Sequence, residues 1–154
     1  MNAAAGERVF VGLGANLGDA VATVRAAIDA LRGLPGTTCV AQSSLYRSAP
    51  VLAEGPDYVN AVVELRTELA PESLLTELLR VEDRFGRERP FRFAARTLDL
   101  DLLAYGSRRL ETPTLTLPHP RMHERAFVIE PLAEIAPELA PPRVAGQRIE
   151  RIAS

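Results

Sequence analysis

The chain has no lysine and a single cysteine, Cys39, among its 154 residues. One thiol excludes an internal disulfide and any zinc site built on cysteine pairs. Cys39 lies in an apolar and polar alternation, which reads as a small buried hydrophobe, not a nucleophile. All 18 basic residues are arginine, set against 20 acidic ones, for a formal net charge of −2 and a pI near 5.7. That balance argues against a general affinity for nucleic acid or an anionic membrane, so any attraction for phosphate has to be local. A run of about 18 apolar residues that would span a bilayer is missing, and residues 1–7 have neither the basic flank nor the apolar stretch of a signal peptide. The expectation is a cytoplasmic protein with no membrane and no nucleic-acid partner. The G-K-[ST] of a P-loop is also missing, and Gly12, Gly14 and Gly18 are spaced G-x-G-x-x-x-G, which is not the dinucleotide fingerprint. They read as turn glycines between a strand and a helix.

What is present fits one soluble globular domain over residues 1–154, with 47% hydrophobic and 25% charged residues. Residues 8–13 form a short apolar run suited to a central strand. Asp19 caps a predicted helix over 20–32 whose stripe is Val21, Val24, Ala27, Ile28 and Leu31, ended by Gly33 and Pro35-Gly36. Residues 37–46 and 57–69 have strand character, and the breaker-rich 47–56 between them is too long for a tight turn and suits a binding loop. Pro71 and Glu72 open a second helix, buried along Leu74, Leu78, Val81 and Phe85 and stopped at Gly86. With a strand after residue 96, the order is β-α-β-β-α-β. It predicts an α+β fold, an α/β sandwich with a ferredoxin-like core: an antiparallel sheet with helices on one face. A C-terminal extension follows from residue 107, with a Pro-broken segment carrying His119 and His123, a helical stretch toward Ile135, and a Pro-rich end that wraps the surface.

The chemistry concentrates at residues 96–105, R-T-L-D-L-D-L-L-A-Y. Period-two alternation puts Leu98, Leu100 and Leu102 on one side of a strand and Asp99 and Asp101 on the other, with the aspartate Cα atoms about 6.5 to 7 Å apart. Two carboxylates that close repel one another and suit a shared magnesium or a pair of ions. The spacing alone also fits an amphipathic edge strand with a wet polar face. The flank favours the metal, because six arginines (Arg80, Arg84, Arg87, Arg89, Arg92 and Arg96) stand just before the aspartates. Carboxylates for metal beside guanidinium forks for phosphate make a nucleoside-triphosphate site.

Six segments in order resemble the 6-hydroxymethyl-7,8-dihydropterin pyrophosphokinases, enzymes of folate biosynthesis. They are Gly14-Ala15-Asn16-Leu17-Gly18-Asp19, S-L-Y-R-S-A-P at 44–50, P-D-Y-V-N-A at 56–61, the stretch from Glu82 to Arg87, R-T-L-D-L-D at 96–101, and P-H-P-R-M-H-E-R-A-F at 118–127. The resemblance implies transfer of a diphosphate from ATP to the pterin alcohol with release of AMP. It implies two magnesium ions on Asp99 and Asp101, with Arg87 and Arg96 joining them as the catalytic set. ATP would be held by Glu82, Arg87, Arg89, Arg96, Thr116, His119 and Arg125. The pterin would meet Ser48, Ala49, Val51, Tyr58, Asn60 and Phe127. A flat heteroaromatic ring does want an aromatic slab and an amide that both donates and accepts. The implied partners are these two small molecules, and the implied unit is a monomer. Two positions depart from the family's pattern: Leu79 where glutamine is usual, and Phe93 where tryptophan is usual. A non-catalytic ferredoxin-like module that binds metal or nucleotide is the alternative, and it leaves the arginines and the His119 segment without a task. A nucleotidyltransferase or phosphatase on the same aspartates leaves Tyr58, Asn60 and Phe127 unexplained.

Overall fold

Strict alternation along the first strand sets the architecture. In the computed structural model, which describes residues 6–16, 18–49, 57–86, 98–142 and 146–152, β1 (Glu7–Ala15) sends Val9, Val11, Leu13 and Ala15 into one core and Phe10 into another on the opposite face. Next come α1 (Ala20–Arg32), β2 (Thr37–Gln42), β3 (Tyr46–Ser48), β4 (Tyr58–Thr67), α2 (Pro71–Gly86) and β5 (Asp99–Tyr105). The chain finishes with β6 (Leu110–Glu111), β7 (Thr116–Leu117), a 3-10 turn (Met122–Glu124), α3 (Ala126–Ile135) and β8 (Ile149–Arg151). The main sheet runs β5-β1-β4-β3-β8, with β2 also on β4, and every pair in it is antiparallel. β6 and β7 form a separate two-stranded ribbon.

Both predicted helices sit where their apolar stripes require. α1 starts at Asp19, whose carboxylate accepts the Ala22 N–H at 3.1 Å, so one otherwise unpaired helix donor is satisfied. Val24, Ala27, Ile28 and Leu31 of α1 and Leu74, Leu78 and Val81 of α2 then bury against the face of β1 that carries Val9 and Val11. Burying side chains of this size contributes about 1.5 to 3 kcal/mol each before entropy is counted.

Two expectations change. The segment 37–46 is not one strand, because the Ser43 hydroxyl takes the Val62 N–H at 3.0 Å in place of a ladder carbonyl. The chain then steps sideways and resumes as β3. The expectation of helices on one face holds for α1 and α2 only. α3 covers the other face, packing Val128 and Leu132 onto Phe10, Val62 and Leu103. An apolar helix of this kind, with Ile129 and Leu132 almost wholly buried, cannot lie on the surface as a mere extension. β8 was not foreseen at all. It joins the edge of the sheet by backbone pairing with β3, and Arg148 just before it binds both oxygens of Asp57 at 3.0 Å.

One side chain ties α3 to the sheet. Glu134 accepts the Ser44 N–H at 3.0 Å, the Ser44 hydroxyl at 2.9 Å and the Tyr46 hydroxyl at 2.8 Å. Burial and this carboxylate push the Tyr46 phenol up to about 12. Burial also pushes the Glu134 carboxyl upward, but the bonds from Tyr46 and Ser44 and the charge of Arg151 outweigh it and hold the group below its ordinary 4.5. A depressed carboxyl contributes stability that is complete above its ordinary range and is lost as pH falls through the lowered value. Glu134→Gln is therefore expected to cost about 1 to 2 kcal/mol at pH 7, a modest figure because the group is partly exposed. The difference from the parent should shrink in urea melts below about pH 4. A gap that does not change with pH would show that the charge has no part in the brace.

Candidate active site

The face of the sheet opposite α1 and α2 is where the polar residues gather, and strand register decides which of them meet. Gly14 pairs with Asn60 of β4 on one side and with Asp99 of β5 on the other. Gly12 is flanked in the same way by Val62 and Asp101. Adjacent strands lie about 4.8 Å apart, so Asn60 and Asp99 stand about 10 Å apart across a glycine floor. The floor is tight at Gly14, since a Cβ there would lie 3.1 Å from Asn60 Nδ2 and the buried amide would have to give way. The expectation of turn glycines is thus corrected for two of the three. Gly12 and Gly14 lie inside β1, and only Gly18, with φ of 59°, is a turn residue. A glycine at every second position fits a strand face as well as it fits a turn, and the sequence could not separate the two.

β5 behaves as its spacing predicts up to Leu102. Leu98, Leu100 and Leu102 are buried beneath the helices, and Asp99 and Asp101 are half-buried on the open face. Then the register slips. Phe10 pairs with Ala104 but Val11 with Leu102, which leaves Leu103 as a bulge. Leu103 keeps the face of the aspartates and packs toward α3, and its carbonyl accepts the His119 N–H, 2.8 Å away. His119 is thereby fixed beside the aspartates, with Nε2 3.8 Å from Asp101 Oδ1. Its Nδ1 accepts the Arg121 N–H at 3.2 Å, so the neutral ring carries its proton on Nε2, facing Asp101. Burial lowers the His119 pKa, Asp101 pulls it upward, and Arg125 and Arg121 lower it further, for a net value below the ordinary 6.5. Neutral imidazole is the form at neutral pH.

The opposite wall is built around Asn60. Asn60 and Ser48 are both buried, and the Ser48 hydroxyl donates to Asn60 Oδ1 at 2.7 Å. In this orientation the amide NH2 group lies next to Gly14. Tyr58 and Ala49 lie beside it, while Phe127, from the first turn of α3, carries the Arg125 guanidinium 5.4 Å from its ring centre. These residues and the two aspartates enclose a cleft of about 630 Å³, within the range of small-molecule sites.

Of the residues singled out from sequence, the structure brings Ser48, Ala49, Tyr58, Asn60, Asp99, Asp101, Arg125 and Phe127 into this one cleft. His119 adjoins it through Asp101. Glu82 does not line it. Its carboxylate accepts the Leu100 N–H at 2.7 Å and so covers a donor on the outer edge of β5, the last strand of the sheet. Thr116 is an exposed residue of β7. Arg87, Arg89, Arg96 and Val51 lie outside the described residues. Arg121, Glu124 and Gln147 also line the cleft and were not among the expected site residues. Glu124 was inside a recognised segment, but Gln147 had no motif, periodicity or charge pattern to mark it.

The donor set suits a hard cation. Asp99 and Asp101 offer carboxylate oxygens from one face, and no cluster of three or more metal-ligating side chains occurs among the described residues. Magnesium is commonly held in this way, by one or two carboxylates with substrate phosphate oxygens and water completing the octahedron.

Residues 10–137 match the family of 7,8-dihydro-6-hydroxymethylpterin-pyrophosphokinase (HPPK). The chain is 47% identical over 134 residues to a 2-amino-4-hydroxy-6-hydroxymethyldihydropteridine pyrophosphokinase of Haemophilus influenzae, covering 86% of this chain and 84% of that protein. It is 47% identical over 137 residues to the protein of the same name from Pseudomonas aeruginosa, covering 88% and 85%. Among solved structures it is similar to a Plasmodium falciparum HPPK-DHPS triple mutant with a TM-score of 0.69 at 14% identity, a likeness of fold. The match covers 90% of this chain and 42% of that longer one.

The Ser48 and Asn60 pair gives a direct check on the pocket wall. Ser48→Ala and Asn60→Ala are each expected to destabilise the ligand-free protein by about 1 to 3 kcal/mol, since each strands a buried partner. The double variant should cost less than the sum, with coupling of about 0.5 kcal/mol or more in denaturant melts. Strictly additive costs would mean that the two groups do not depend on each other.

Proposed function

The chain belongs to the 7,8-dihydro-6-hydroxymethylpterin-pyrophosphokinase family, and on that premise we infer how its own residues transfer a diphosphate from ATP to 6-hydroxymethyl-7,8-dihydropterin in folate biosynthesis. The observation that carries the inference is the row of Asn60, Gly14 and Asp99 across three neighbouring strands. It sets an amide suited to a pterin edge about two strand spacings, roughly 10 Å, from a carboxylate pair suited to metal-bound phosphate. A hydroxymethyl group on the ring would then point along the glycine floor toward the phosphates.

In this reading the pterin ring lies against Phe127, with Tyr58 beside it and its polar edge on Asn60, next to Ser48 and Ala49; Val51, outside the described residues, would be a further pterin contact. The Ser48 hydroxyl holds the Asn60 amide oriented before the ring arrives, so that part of the binding cost is met in advance. Asp99 and Asp101 would hold two magnesium ions, which when bound screen the triphosphate and polarise the phosphorus under attack. Arg125 lies close enough to His119 for its charge to lower the imidazole's pKa, and both are assigned here to the triphosphate. The Nε2–H of neutral His119 is a donor for a phosphate oxygen placed against Asp101, and Arg125 can leave the Phe127 ring to pair with another. Arg87, Arg89, Arg96 and Thr116 would hold the rest of the triphosphate, with Glu82 toward the nucleotide. The pterin hydroxyl oxygen attacks the β-phosphorus in line and gives up its proton to solvent, the bond from that phosphorus to the oxygen bridging to the α-phosphate breaks, and AMP leaves. The protein's share is position and charge. We take the acting unit to be a monomer in the cytoplasm, with ATP and the pterin alcohol as its partners. Among the described residues no helix is long and apolar enough to cross a membrane.

Which phosphorus is attacked distinguishes this chemistry from other uses of a carboxylate pair. With ATP, magnesium and 6-hydroxymethyl-7,8-dihydropterin, chromatography should show AMP and pterin diphosphate rising in equal amounts, and neither should form if the pterin or the metal is left out. ADP as the main nucleotide, or diphosphate released from ATP, would overturn the reading.

A further inference from the structure

α3 begins without the cap its position calls for. The first N–H groups of a helix have no partner within it, and serine, threonine, aspartate or asparagine usually supplies one from the residue before. Here that residue is Arg125, in an extended conformation and with no capping bond from its own side chain. A guanidinium has no acceptor to give, and a positive charge at the positive end of the helix dipole is itself unfavourable. Arg125 therefore weakens the start of the helix it precedes, and Phe127 lies in the same turn.

The missing acceptor comes from a residue 21 positions later. Gln147 Oε1 accepts the Ala126 N–H at 2.9 Å, and Gln147 Nε2 donates to the Glu124 carbonyl at 2.9 Å. The two backbone partners fix the direction of the amide, since one can only donate and the other can only accept. They also bracket Arg125 on both sides. Gln147 is held in turn by its neighbours, with Arg148 bound to Asp57 at the start of β4 and β8 paired to β3. It lines the same cleft as Phe127 and Asn60, yet it lies beyond residues 10–137, the span that matches the family.

We propose that Gln147 is a positioning residue of the active site, a clamp from the segment just before β8 that replaces the absent cap of α3 and fixes Arg125 and Phe127 in their working places. This rests on the roles given above to Arg125 for the triphosphate and Phe127 for the pterin. Removing the amide frees the backbone on both sides of Arg125, so both substrates lose a contact together, and the sheet, α1 and α2 are untouched.

The test is Gln147→Ala, measured as separate calorimetric titrations with a magnesium complex of a non-hydrolysable ATP analogue and with 6-hydroxymethylpterin, together with steady-state kinetics well below the melting temperature. Binding of each is expected to weaken by about tenfold, because small misplacements of contact groups have effects of this size. Should Q147A not fold, Gln147→Glu carries the same test: it keeps the acceptor for Ala126, loses the donor for Glu124, and should bind both ligands more weakly than the parent. A variant that melts lower but binds both ligands and turns over like the parent overturns the proposal, as does loss confined to stability. Parent protein that yields no AMP would instead defeat the functional reading, which separates the two failures.

Discussion

Everything at the site depends on side chains alternating across three antiparallel strands in fixed register. On β1, β4 and β5 the residues facing α1 and α2 are apolar, including Val11, Leu13, Ala61, Val63, Leu100 and Leu102. Their burial locks the strands against any one-residue slip, because a slip would turn the apolar set outward. The same lock fixes the other face, where Asn60, Gly14 and Asp99 have no comparable hydrophobic gain to hold them in line. The site is thus aligned by the core behind it. Its one departure from regular pairing, the bulge at Leu103, ends the aspartate run and supplies the carbonyl that anchors His119.

A second layer of support comes from late in the chain. Glu134 ties α3 to the turn before β3, and Gln147 closes the helix start that Arg125 leaves uncapped. Both bonds run from functional or exposed positions to backbone donors, where a lost partner is costly. The arrangement allows an arginine, a poor residue for a helix start, to stand where phosphate is expected.

Much of this was legible before the structure. Helix limits at 20–32 and 71–86 followed from capping and breaker residues, and the shared face of Asp99 and Asp101 followed from period two. Membership of the family was carried by motif order. What stayed hidden was tertiary in origin. Gly12 and Gly14 read as turn glycines because only the neighbouring strands show how tight the floor is. The break at Ser43 depends on the distant Val62 N–H, and α3 covers the second face because of apolar residues on strands far off in sequence. β8 has three residues and no apolar alternation, and the amide of Gln147 acts only through backbone groups that sequence does not reveal.

We propose that the β5 carboxylates Asp99 and Asp101 are the platform for metal and nucleotide. The direct measurement is a thermal melt of the parent and of the Asp99→Asn, Asp101→Asn double variant, each with and without magnesium and a non-hydrolysable ATP analogue. Ligand is expected to raise the melting temperature of the parent alone. A double variant stabilised by magnesium and nucleotide as strongly as the parent would contradict it.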